Sequence, residues 1–222
     1  MLRIFLFSAL FMFGLMTLPS TFAAVVYANT ITPFTGTHSD VEADIKVFDA
    51  FRLGSPATVN NVQWKGLYEG SYFSVPSVTD AFSIRFYNDI NGNIGPLLGE
   101  FHVGNAVNRT STGQIFSRNI PFYQYEANLG SGIDLLAGTQ YWLSIQNNTV
   151  ANADSDWFWA VEFTSANSKY LLANQYHDFP NNNHHFILSG NSKLNAISEP
   201  VTLTLFGLGL LGIATLRKRK RA

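Results

Sequence analysis

Asp89, Asn91 and Asn93 stand at alternate positions in "DINGNIGPLLGE", and Glu100 falls at the twelfth place of the same count. Oxygen ligands at this spacing can wrap a calcium ion. The sixth place of such a loop should be glycine, to allow its sharp turn, but here it is Ile94, with Gly95 one place late. Asn91-Gly92 is also a dipeptide favoured at the tip of a two-residue β-hairpin. Two readings stand: a calcium site of Asp89, Asn91, Asn93 and Glu100, or a hairpin loop. A second oxygen-rich stretch, Asn152, Asp154 and Asp156, lacks both the glycine and the downstream acid and reads as a solvated loop that could share an ion with the first.

Other residue types open other chemistries. Trp157 and Trp159 fall on one face of "WFWAVEF", with Phe158 on the other. Turned outward beside Asn, Gln and Asp side chains, the two indoles would form a glycan platform; turned inward they would be packing, as expected of Trp64 and Trp142. Glu69, Glu100, Glu126 and Glu162 are the carboxylates a glycosidase would need as a pair roughly 5 to 9 Å apart. His184 and His185 are neighbours and in a strand point to opposite faces, so they make a poor metal pair, and no HExxH joins His38, His102 or His177. There is no GxSxG elbow and no phosphate-binding glycine loop. No cofactor is expected beyond the calcium alternative.

Short runs must position these residues. Between Val25 and about Asn195 the chain shows no long helical period; aromatic and β-branched runs alternate with Asn, Gly, Ser and Pro. Strands are predicted at 59–68, 81–88, 97–103, 122–129, 139–147, 156–163 and 184–189. In "AFSIRFYN" the residues Phe82, Ile84 and Phe86 share one face and Ser83, Arg85 and Tyr87 the other. In "TQYWLSIQN" Tyr141, Leu143 and Ile145 lie opposite Trp142, Ser144 and Gln146. The expected fold is all-β, a single jelly-roll-like β-sandwich over 25–196, with 25–55 as an edge strand or irregular lead-in.

Composition bounds the function. The 222 residues are 46% hydrophobic and contain no cysteine, so the fold must rest on burial without disulfides or thiolate metal sites. Between Val25 and Ser198 lie eight cations and 14 anions, a balance of −6 that argues against a nucleic-acid surface. The ends have another character. Arg3, the apolar run from Ile4 to about Leu15, Pro19 and the small residues near Ala23 have the layout of a signal peptide over 1–24, cleaved after Ala23 or Ala24. At the other end Val201 to Leu216 carries no charge and would form a helix of about 24 Å, against a hydrocarbon core of about 30 Å. The run Arg217-Lys218-Arg219-Lys220-Arg221 would snorkel to close the gap and stay cytoplasmic.

That tail resembles the PEP-CTERM sorting domain: a tripeptide, Ser198-Glu199-Pro200, then the Gly- and Leu-rich span, then the basic end, together 197–222. Serine stands where the family has its first proline. The resemblance implies recognition by an exosortase-type membrane enzyme in a Gram-negative bacterium, with the protein held in the inner membrane before processing and then placed in the cell envelope or extracellular matrix. The body, over roughly 59–163, is similar to the exported domains found ahead of such tails. It implies a non-enzymatic structural protein associated with extracellular polysaccharide or biofilm, with a surface carbohydrate-binding module or a polysaccharide-cleaving enzyme as alternatives.

Overall fold

The computed structural model describes residues 23–70, 80–116, 119–150 and 155–193. Ser198, Glu199, Pro200, the 201–216 span and Arg217 to Arg221 lie outside these, as do residues 1–22, Asn152 and Asp154. Twelve strands follow in chain order: β1 (Ala24–Asn29), β2 (Thr35–His38), β3 (Ile45–Arg52), β4 (Ala57–Gly70), β5 (Phe82–Ile90), β6 (Asn93–Gly104), β7 (Asn108–Phe116), β8 (Ile120–Leu135), β9 (Gln140–Gln146), β10 (Ser155–Leu172), β11 (Gln175–His184) and β12 (Phe186–Ser192). Among the described residues none forms a helix long and apolar enough to cross a membrane.

The fold is all-β, as the alternation predicts. It is built as one curled antiparallel sheet of twelve strands, whereas two separate sheets were expected. The main path runs β1-β12-β4-β10-β3-β9-β5-β6, with β8 on β4 and β7 on β8. Long strands cause the continuity, because they exchange partners along their length. In β10, residues 155–159 pair with β4 and residues 161–172 with β11, while the other edge meets first β2 and then β3. Residues 25–55 hold three strands instead of a loose lead-in, and β3 lies between β10 and β9.

Curling brings Val47 and Phe51 of β3, Ile84 and Phe86 of β5, Trp64 of β4, Tyr125 of β8, Trp157 and Trp159 of β10 and Leu188 of β12 into one core. Each large side chain so buried stabilises the fold by about 1.5–3 kcal/mol. The rings interlock: Trp64 stacks on Tyr125 with centroids 5.5 Å apart, and Phe82 meets Trp157 edge-on at 5.0 Å. Gly66 makes room for that indole, since a Cβ there would stand 2.6 Å from Trp157 Nε1.

Buried carboxylates tie the loops to this core. Asp40 accepts hydrogen bonds from the backbone N–H groups of Glu42, Thr149 and Trp157 at 3.0–3.2 Å. Asp49, on the inner face of β3, accepts the His184 N–H at 2.6 Å and lies 3.1 Å from His184 Nδ1. Each is a buried charge made tolerable by the donors around it.

Candidate functional site

The face of β5, β9 and β3 turned away from the core carries a polar network ordered by register, beside the rings of Phe48, Tyr87 and Trp142. Arg85 lies between Ser144 and Glu100, Ser83 between Gln146 and His102, and Gln140 opposite Arg52. The Arg85 guanidinium donates to Glu100 at 2.5 Å and to Gln146 at 3.2 Å, and Gln146 donates onward to the Ile45 carbonyl at 2.9 Å. Lys46 sits at the end of this network. Burial and then the Arg85 charge push its ammonium pKa down, and Glu100 partly opposes them.

Ser83 Oγ lies 3.0 Å from His102 Nδ1, and His102 Nε2 lies 3.6 Å from Glu100, an order of groups reminiscent of nucleophilic catalysis. The geometry does not build a charge relay. Glu100 is held by Arg85 at the shorter distance, and the His102 side chain is 71% exposed. Beside it a recess of about 390 Å³ is lined by Phe101, Ala106 and Leu129.

A second pocket, also of about 390 Å³, opens between β9 and the β10–β11 hairpin, which β3 separates in the sheet. Gln140 and Trp142 of β9, Asn167 and Lys169 of β10, Asp178 of β11 and the β5–β6 turn at Gly92 line it. Asp89 prepares this wall: one carboxylate oxygen accepts from both Gln140 Nε2 and Trp142 Nε1 at 2.8 Å, and the other from the Gly92 N–H at 2.9 Å. Arg52 fixes the carbonyl end of the same Gln140 amide at 2.9 Å. The Lys169 ammonium, 5.9 Å from the Trp142 ring centroid, is paired with Asp178, whose side chain is 78% exposed. The pocket thus offers an amide, a carboxylate and an ammonium, with the Trp142 indole buried beneath them.

Comparison with protein-family models, with curated proteins and with solved structures gives no match.

The residues singled out from sequence fall in different places. Trp157 and Trp159 are 0% exposed core residues, so of the two readings packing holds; both faces of β10 carry large rings, and the inner face took the indoles. Phe158, on the other face, stacks on His38 at 4.5 Å. Trp64 and Trp142 are buried as well. The four groups of the calcium reading do not converge. Asn91 (φ 53°) and Gly92 (φ 79°) form the tight turn of the β5–β6 hairpin, Asp89 is committed to Trp142, Gln140 and Gly92, and Glu100 is opposite Arg85. Four strand positions separate Asp89 from Arg85, about 13 Å.

Among the glutamates, Glu69 pairs with Asp156 across β4–β10, and Gln63 pairs with Glu126 across β4–β8. Register therefore sets Glu69 about 20 Å from both Glu126 and Glu162, well outside the range of about 5–9 Å for a glycosidase pair. Glu126 instead accepts from Asn61 at 3.0 Å. His184 faces Asp49 and Trp159, while His185 feels the charge of Lys65 on the other side.

Sequence reading missed Gln140, Asn167, Lys169 and Asp178. The usable signal was the turn at Ala173 (φ 48°) and Asn174 (φ 61°): a two-residue tip there sets Lys169 opposite Asp178.

Proposed function

We propose that this chain is an exported, non-enzymatic cell-envelope or matrix protein: a sandwich-like β body over 25–196, delivered by the signal segment 1–24 and sorted through 197–222. In this reading Glu199 and Pro200 are recognised by an exosortase-type membrane enzyme, the 201–216 helix holds the chain in the inner membrane, and Arg217 to Arg221 set its orientation. The body then stands toward extracellular polysaccharide or biofilm. The observation that carries the reading is the juxtaposition, after a body of balance −6, of sixteen uncharged residues and five consecutive cations. Such a rod is costly to leave in water, and such charges are costly to draw through lipid.

Support for a structural role comes from the body itself. Its largest aromatic side chains are spent on the interior, and its buried carboxylates Asp40, Asp49 and Asp80 on donors of the protein itself. Cell fractionation with intact-mass measurement tests the proposal. The expected product is membrane-associated or extracellular, begins near Ala24 and, once processed, lacks the five terminal cations. A full-length chain in the cytosol, carrying both ends, would overturn it.

A further inference from the structure

The pocket under the β10–β11 hairpin has features that a purely structural surface does not require. Its wall is set in advance: Asp89 and Arg52 hold both ends of the Gln140 amide, so this group stays in place whether or not anything fills the space. Its volume of about 390 Å³ lies at the small end of ligand pockets, which run from about 300 to 1,000 Å³. The rim charges cancel, Lys169 against Asp178 and Arg52 against Asp89, so no net field selects an ion. What remains is a dense mixture of donors and acceptors from Lys169, Asp178, Asn167 and Gln140 above the buried Trp142. That combination is complementary to vicinal hydroxyl groups, each of which donates and accepts at once.

We propose that this pocket binds a neutral hexopyranose unit of a polysaccharide. Asp178 accepts from one hydroxyl, and Lys169 and Asn167 donate to its neighbours. An acidic sugar is disfavoured, because its carboxylate would meet the exposed Asp178. The inference deepens the export proposal, on which it rests for the ligand's presence outside the cell, yet its chemistry can be tested separately.

The test uses the full chain purified in a non-glycosidic detergent and saturation-transfer NMR with maltotriose, cellotriose, mannotriose and trigalacturonate. Signal transfer to at least one neutral trisaccharide is expected, with none to the uronate. Asp178→Ala and Asn167→Ala should each weaken that binding by about tenfold, the loss expected for a hydrogen bond to a charged or well-placed group. Both residues line the pocket, and the thermal midpoints of the two variants are read alongside to verify folding. Binding left unchanged in both folded variants would overturn the inference, as would no transfer to any neutral sugar or preferential binding of the uronate. A chain that is correctly exported but binds none of the neutral sugars refutes the pocket alone, whereas a cytosolic chain that binds them refutes the export reading alone.

Discussion

His185 sets a pH dependence on stability that can be worked from its surroundings. It joins β11 to β12, its backbone N–H donates to the Ala160 carbonyl at 3.0 Å and its own carbonyl accepts the Trp159 indole N–H at 3.0 Å. The ring is 3% exposed, and Nδ1 meets no hydrogen-bond partner among the described residues. Burial, and then the charge of Lys65, lowers its pKa from 6.5 to about 4. Above pH 6.5 the ring is neutral in both folded and unfolded chains and contributes no pH dependence. Below it the unfolded chain takes up the proton first, so stability falls with pH until about pH 4, where the folded ring also titrates. Two and a half units correspond to a loss of about 3 kcal/mol across that window. The assay is urea unfolding of wild type and His185→Gln from pH 7.5 to 4 at fixed ionic strength. The variant keeps the backbone bonds, and subtracting its curve removes the contributions of Asp80 and the other titrating groups. Wild type should lose about 3 kcal/mol more than the variant between pH 6.5 and 4. Parallel curves over that interval would refute the reasoning.

Three further outcomes follow from the core and the pocket wall. Gly66→Ala drives a methyl into the Trp157 indole and should cost about 1–3 kcal/mol by urea unfolding, with a change in near-ultraviolet dichroism from the displaced ring. Asp40→Ala leaves the Thr149 and Trp157 N–H groups buried without their acceptor and should cost about 3 kcal/mol or more, measured the same way. Asp89→Ala should cost about 1–3 kcal/mol and shift tryptophan emission, because the buried Trp142 N–H loses its acceptor; millimolar calcium should leave the wild-type thermal midpoint unchanged, since the carboxylate is already committed to protein donors.

Strands whose two faces differ in polarity were legible in the sequence. Phe82, Ile84 and Phe86 are buried, and Ser83, Arg85 and Tyr87 only partly so, as the alternation requires. Strands wet on both faces were not: β7 and β11 have mostly exposed or half-buried residues and pair at the periphery, so no apolar period marks them. The central strand β3 was hidden for another reason. Asp49 interrupts its apolar face, and the compensating His184 comes 135 positions later. Trp157 illustrates the limit for sites: alternation assigns Trp157 and Trp159 to a common face, but the direction of that face depends on which strands cover it. The pocket was beyond reach because Trp142 and Asp178 lie on strands that β10 and β3 separate in the sheet, and only the register of all four sets their outer faces around one space.

The pairing of β1 with β12 orders events in time. Ala24 lies opposite Gly190 and Asn29 opposite Phe186, so the earliest strand to emerge from a ribosome or a translocation pore waits for the latest before its edge is covered. Contacts of such sequence separation form late, after the entropy of closing a very long loop has been met. The sheet therefore cannot close at β1 until residues 186–190 have emerged. Until then β1 stands with its edge open to pairing with other strands.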